Sequence, residues 1–499
     1  MEGINSMEVE MNVVESEMEG RNDSIEEEGE GLIRSNNVEV DPGTLVIQVI
    51  QSKLMGLPKL LTQSGRVRFQ SCIFRVPQQL LGTNSEADAR PYQPRAFSIG
   101  PYHHGKPHLK EMQEYKLRFL KRLIQRTMKK KGVGLAQYVD AVKGLEEEAR
   151  DLYSEFIHLS SAEFVEMLVL DGCFVVEILR ASKPGYFKLD ESDNPLLSIT
   201  QFILRNCHHD LYCLENQIPY IVLQTLFTLT ETEDDDCYTF PAGCLDSLAN
   251  LAIDFFRGIE DGEEVDAEEL QRDYRDQHLL NLLRKNYSLP VVPPGKATRA
   301  SCLPRQTNTW DIKSISKLRR AGIKLKAQDV MRSLVDVRFE RGVIWMPLLV
   351  LDDKMCDILL NCVAFEICAE SFKRDGRVMS DYAWFLFCLI KTDEDVAILC
   401  EAEVLQNHLG MAGEVTAFVA RLGMAALSNN GGCRTDYFRE LYGDVNIYYD
   451  NNVHIYLAEG KHKYFSSPWS LISLLAAIFL LLLTVLQTIV AILDLKKKS

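Results

Sequence analysis

The chain has 499 residues, 46% of them hydrophobic, and a formal net charge of −16 at pH 7. This is enough apolar material for a sizeable core and enough length for two or three domains. The acidity excludes a general nucleic-acid binder, since phosphate repulsion opposes approach, so no nucleic-acid partner is expected.

Residues 1–42 carry 13 acidic side chains against Arg21 and Arg34. They contain no aromatic residue and no periodicity, and are predicted to be a disordered acidic arm. They also lack a basic region followed by an apolar run, so no secretory signal is expected. An N-terminal helical half is predicted over 43–287, with helical periodicity beginning in 43–57. Residues 71–77 (SCIFRVP) read as a short strand or extended entry, and 98–105 (SIGPYHHG) as a loop. The spacing of Leu109, Met112, Phe119, Leu120, Leu123, Ile124 and Met128 predicts a helix over 106–131. Its remaining faces are basic, a solvated surface or a patch for an acidic partner. Residues 162–180, apolar on most faces, are expected to form a central buried helix. A single helix is predicted over 210–229, with Asp210 as its N-cap and a kink at Pro219 that frees the Glu215 carbonyl.

The acidic runs 231–236 and 260–269 read as surface loops or helix edges. Residues 288–304 carry four prolines and read as a linker. A C-terminal helical half is predicted over 305–465. It contains helices at 315–326, 354–370, 380–400 and 414–427, a β-hairpin within 336–351, a flexible turn at 428–432 and a membrane-proximal helix at 437–463.

Residues 471–493, which open on Leu471, centre on Leu482 and close on Leu493, contain no charged side chain. As a helix they would be ~34 Å long, enough to cross a hydrocarbon core of about 30 Å. Tyr464 and Trp469 stand where an interfacial aromatic belt is expected, and the tail 494–499 is basic. The expected class is therefore mainly α with a minor β-hairpin (α+β): a large helical soluble region plus one C-terminal transmembrane helix. The lipid bilayer is its expected partner. A cytosolic body at the plasma membrane is the favoured topology. The endoplasmic reticulum is the alternative, because the final KKKS resembles a dilysine retrieval signal.

The sequence holds no phosphate-binding glycine loop, HExxH helix, EF-hand loop, GxSxG elbow or kinase signature. Asp171 sits in the stripe Phe164, Met167, Leu168, Phe174, Val175, Ile178, and Glu215 shares a face with Leu211, Leu214, Ile218 and Val222. Carboxylates in such positions either bond to the fold or act as acid/base groups. His103 and His104 sit in the glycine-rich loop, where structural use is favoured. Cys207, His208, His209 and Cys213 are metal-capable types without a second pair at a zinc-site spacing, so no metal is expected. Cys356, Cys362 and Cys368 spread around a helix and read as buried thiols. The 13 cysteines form no CxxC pair, which suits a reducing compartment.

Several segments together resemble the plant domain of unknown function 247 family, over roughly residues 70–493. They are RVP at 75–77, SIGPYHHG at 98–105, Lys116, MLVLDGCF at 167–174, DLYCLENQIP at 210–219, LRRAGIKLK at 318–326, NCVAFE at 361–366 and the terminal Pro468, Trp469, Leu483, Thr484, Gln487 and Thr488. The motif positions are Gly100, Pro101, Tyr102, His103, His104 and Gly105, then Asp171, Gly172 and Cys173, then Glu215, Asn216, Gln217 and Pro219. The resemblance implies a predominantly helical plant protein with a C-terminal transmembrane segment and no established enzymatic activity; no cofactor is expected. Some grass members lie at self-incompatibility loci. The leading expectation is a non-enzymatic, membrane-tethered interaction or recognition protein with a protein partner. The rivals are an enzyme using Asp171, Glu215 and the histidine loop, and a cell-surface receptor whose body is extracellular and carries sequons at Asn22 and Asn286.

Overall fold

The computed structural model describes residues 71–81, 89–182, 202–203, 208–231, 247–257, 278–288, 311–328, 333–369, 377–427, 438–450 and 468–498. The acidic arm, the segment 43–57, the runs 232–236 and 260–269, the stretch 289–304, the turn 428–432 and most of the membrane-proximal segment lie outside them.

Residues 71–77 run extended. Ile73 makes a parallel bridge to Tyr153, and the Cys72 and Ile73 amides donate to the Leu152 carbonyl. After the 98–105 loop and a short turn at Pro107–Leu109, α1 runs over Glu111–Lys131. It ends at Gly132, whose left-handed conformation sends its N–H back to Met128. Lysines at 129–131 complement the helix dipole there. Helix α2 (Leu135–Lys143) and α3 (Glu146–Asp151) follow. Helix α4 (Ser161–Ala181) opens on a capping box between Ser160 and Glu163 and is buried from Phe164 onward almost without interruption. Helices α1, α2 and the later α6 (Tyr220–Thr230) pack around it. The approach to α6 is so close that a Cβ on Gly172 would lie 2.4 Å from Leu226 Cδ1.

The single kinked helix expected over 210–229 is replaced by two. Helix α5 spans His208–Tyr212, the chain unwinds through 213–219, and Pro219 is the N-cap of α6. Proline lacks an N–H and is better placed before a first turn than inside a helix. Asp210 consequently lies within α5 rather than capping it. Helices α7 (Ser247–Arg257) and α8 (Leu279–Ser288) follow before the proline-rich stretch.

Helix α9 stops at Arg320 (Ile315–Arg320), and β1 covers Lys324–Ala327, so the second half of the helix expected over 315–326 is a turn followed by strand. The alternation of Ile323 and Leu325 inward with lysines outward is a two-residue period. Strand β1 pairs in parallel with β3 (Val343–Met346), which pairs antiparallel with β2 (Arg338–Glu340). The two-residue turn between β2 and β3 has positive φ at Arg341 and Gly342, the geometry that matches strand twist. Pro347 ends β3, and β4 (Leu349–Leu351) instead pairs in parallel with β5 (Leu405–Asn407). Helix α10 (Asp353–Cys368) is capped by Asp352. The helix expected over 380–400 is α11 (Val378–Leu389) and α12 (Asp393–Glu401), separated because Thr392 caps the second. Helices α13 (Ala412–Leu427) and α14 (Arg439–Tyr449) follow. The protein is mainly helical with a small sheet. Among the described residues most buried apolar side chains form one continuous cluster containing elements from both sides of 288–304.

Helix α15 covers Pro468–Lys498. Leu482 and Leu493 are 60% and 58% exposed, and the other large apolar side chains described on it are exposed as well. The side chain of Leu471 lies outside the described residues. Among the described residues no helix is long and apolar enough to cross a membrane.

Candidate functional site

The motif residues meet around the loop 95–105. The N–H groups of Arg95, Ala96 and Phe97 all point at one carboxylate, that of Asp210, at 2.7, 2.7 and 2.9 Å. Beyond Ser98, the Ile99 amide donates to Asn216 Oδ1 at 2.7 Å, and Gly100 donates to Asp171 Oδ2 at 2.9 Å. Asn216 returns its amide to the carbonyls of Phe97 and Asp210. A loop whose backbone polar groups are buried must find partners, and here side chains from α4, α5 and the α5–α6 connection supply them.

Lys116 of α1 reaches into this centre. Its Nζ lies 2.6 Å from Asp171 Oδ1 and 2.5 Å from the Ser98 carbonyl. Lys116 is 0% exposed and Asp171 1%. A buried ion pair is tolerated only with such close geometry and added hydrogen bonds. Gly100 is required here twice over. Its φ is +74°, and a Cβ would stand 2.4 Å from the Gln217 carbonyl oxygen. Gln217 donates to the Leu211 and Cys213 carbonyls and accepts from the Leu280 amide, while its own carbonyl accepts from the Tyr153 hydroxyl.

Glu215 sits at the edge of the same assembly. Its Oε1 accepts from the Val76 amide at 2.9 Å, and its Oε2 faces His103 Nε2 at 3.1 Å and Arg75 at 3.5 Å. Burial pushes the Glu215 carboxyl up. His103, the Val76 amide and Arg75 outweigh it and hold the group below the usual carboxylate range. Burial lowers the His103 imidazole by more than the facing Glu215 carboxylate raises it. The Tyr102 hydroxyl donates to the Ile73 carbonyl, and the Arg75 guanidinium covers the Tyr102 ring at 4.5 Å. Pro101 accepts from the His104 amide. Cys173 is fully buried, and burial raises its thiol.

The structure thus brings Gly100, Pro101, Tyr102, His103, Asp171, Glu215, Asn216 and Gln217 to one centre. It leaves Cys173 and Gly172 in the α4 core, Pro219 as a helix cap, and His104 and Gly105 exposed. Asp171 and Glu215 converge on the same loop, and neither lines the hollow beside Leu117 and Val165 or the one beside Ser98 and Lys110. Of Cys207, His208, His209 and Cys213 the first lies outside the described residues, and among the described residues no group of three or more metal-capable side chains gathers. His209 and Cys213 instead meet the Pro91 carbonyl. Cys356, Cys362 and Cys368 are free thiols on α10.

Sequence reasoning missed the ties to the second half. Asn361 Oδ1 accepts from the Leu214 amide at 2.9 Å, and its amide donates to Pro91 at 2.7 Å. Arg284 pairs with Glu366 at 2.9 Å, and Glu366 also accepts from the Met379 and Ser380 amides at the start of α11. Asp357 joins Arg95 at 2.8 Å. The available signal was a polar or charged residue standing in the apolar run of α10, the same signal that singled out Asp171.

A model of a plant protein family of unknown function, domain of unknown function 247, matches residues 73–483. UPF0481 protein At3g47200 of Arabidopsis thaliana is 31% identical over 453 residues, spanning 88% of this chain and 89% of its own length. A second Arabidopsis thaliana protein of the UPF0481 name, At3g02645, is 24% identical over 494 residues, spanning 83% and 89%. No solved structure matches the chain.

Proposed function

The chain belongs to the plant protein family called domain of unknown function 247, and from that premise we propose that it is a non-enzymatic, membrane-tethered protein that binds a protein partner. One observation carries the reading of the body. The carboxylates and side-chain amides of the motifs are turned inward and bonded to the fold, as Asp171 is to Lys116 and Gly100, and as Asp210 is to three loop amides. Groups already engaged in this way are not free to bind or protonate a substrate. The tether is α15, inserted through the lipid bilayer from about Leu471 to Leu493. Its support is an uncharged apolar sequence and a helix whose described apolar side chains have no protein to cover them. The Thr484 and Thr488 hydroxyls each donate to the carbonyl four residues earlier at 2.8 Å, which removes two polar groups from contact with lipid.

The body faces the cytosol, with the plasma membrane as the favoured site. Two facts favour this side over an extracellular body. Asn286, the sequon in the folded body, is 4% exposed and beyond reach of a glycan in the folded state. The described cysteines are free, most of them buried.

Fractionation tests the tether. The full chain should remain with membranes through a carbonate wash, and a chain ending at residue 467 should move to the high-speed supernatant. A truncated chain that still pellets, or a full chain that does not, overturns it. Proximity labelling with the full chain, against an unrelated soluble protein fused to the same helix, tests the binding role. No protein enriched over that control would refute it.

A further inference from the structure

The inward half of the SIGPYHHG loop is consumed by the fold, while its outward half has no role there. Next to it lies a concavity of about 400 Å³ whose wall includes Ser98, His104, Gly105, Lys106, Lys110 and Gln113. Gly105 turns the chain with φ +76° and has open space around it, so the loop leaves this hollow unfilled. Lys110 and His104 are exposed and Lys106 is half-buried. Among the described residues none of the three has a side-chain hydrogen bond or ion pair, unlike Arg95, Lys116 and Arg126 nearby in sequence. The wall also offers neutral polar groups: the buried Ser98 hydroxyl, with the Gln113 amide 3.5 Å from it. Helix α1 begins at Glu111, immediately after Lys110, so its positive end adds to the field. The opposing charges are Glu111, Glu114 and Glu163. Glu114 is engaged by Arg118, and Glu163 by Ser160.

We propose that this hollow binds a phosphorylated small group, a phosphate monoester carried on a polar ring or short chain. Two lysines act as point charges on a dianion, with a hydroxyl and an amide to orient it. Carboxylates are the poorer fit, since they carry one charge and are best met by the planar fork of an arginine, which the hollow lacks. The volume exceeds that of a bare phosphate and accommodates the group that bears it. The chemistry is shared by a soluble sugar or inositol phosphate and by the headgroup of a phosphoinositide. The inference does not depend on the membrane tether, and fractionation leaves it untouched.

The test uses the full chain in detergent micelles or lipid nanodiscs. Calorimetric titration with inositol trisphosphate gives saturable binding. Lys106→Ala with Lys110→Ala weakens it by roughly tenfold or more, and His104→Ala weakens it less. The control changes Lys121→Ala and Lys129→Ala, on the same basic helix but outside the hollow, and leaves affinity unchanged. Thermal melting confirms that each variant is folded. Flotation of the same proteins with phosphatidylcholine vesicles, with and without phosphoinositide, distinguishes the sources. Phosphoinositide-dependent flotation beyond that of the tether assigns a lipid headgroup, and soluble binding without it assigns a free phosphate. No saturable binding in either arm, or an equal loss in the Lys121 and Lys129 control, overturns the proposal.

Discussion

Replacing Lys116 by Met isolates the interaction at the middle of the loop assembly. The substitution keeps the length and most of the volume of the side chain, so packing changes little. It removes the ammonium that lies 2.6 Å from Asp171 Oδ1 and 2.5 Å from the Ser98 carbonyl. Asp171, 1% exposed, is left as a carboxylate with the Gly100 amide as its remaining close donor. Breaking a buried pair from one side costs about 3–5 kcal/mol, because the abandoned charge stays desolvated. That is a large share of a net stability of about 5–15 kcal/mol. Asp171→Asn alone should cost a similar amount, this time stranding the lysine. The double variant strands neither charge and keeps an acceptor for Gly100, so it loses chiefly the Ser98 contact, about 1–3 kcal/mol. The double variant is therefore expected to be more stable than either single one. Urea unfolding of the full chain in micelles, followed by tryptophan fluorescence, measures the three values. A Lys116→Met cost below about 1 kcal/mol, or a double variant equal to the sum of the singles, would falsify the reasoning.

Two further predictions follow from the geometry of the same region. Gly100→Ala places a Cβ 2.4 Å from a backbone carbonyl at φ +74°, and should unfold the loop or prevent accumulation of the protein. Gly105→Ala has similar φ but open space, and should cost only about 1 kcal/mol; equal effects in melting experiments would contradict this. Burial pushes the His278 imidazole down to about 3 and that of His208 down to about 4. Both are neutral in the fold yet protonate in the unfolded chain below about 6.5. Acidification from there toward pH 4 should lower stability by up to about 1.4 kcal/mol per pH unit for each. His278→Gln should flatten that slope, and a slope unchanged in urea titrations across this range would count against a buried neutral His278.

What the sequence made legible was composition within helices and little about connections between them. Asp171 stood out because it interrupts an apolar stripe, which correctly marks a buried carboxylate. Its partner Lys116 lies 55 residues away, and no local pattern joins the two. Asp210 and Pro219 were each read by the commonest local role, cap and kink. Tertiary structure decided otherwise, because three loop amides needed an acceptor and because a proline fits before a first turn better than within a helix. The helix expected over 315–326 failed for a related reason. Leu318 lies within the part that is helical, whereas the short alternation that follows Gly322 becomes strand by pairing with β3. The ties through Asn361 and Glu366 were invisible because 288–304 reads as a boundary, whereas the side chains on its two sides form one buried cluster.

These ties bear on where a binding function can reside. A buried polar assembly is weak as a source of stability, since apolar packing of equal volume often serves as well or better. What it does supply here is definition. Asp210, Asn216 and Asp171 hold five amides of one loop at hydrogen-bond distance, so that loop has one conformation available without breaking several bonds at once. His104 and Gly105 continue directly from that fixed stretch and face outward. A surface group held by a rigid scaffold loses less freedom on meeting a ligand, and binding is correspondingly tighter for the same contacts. The inward residues of the loop thus need not touch a ligand for their loss to weaken its capture. Variation at Asp171 or Asn216 should act through the shape of the hollow beside His104, and the outward lysines through its charge.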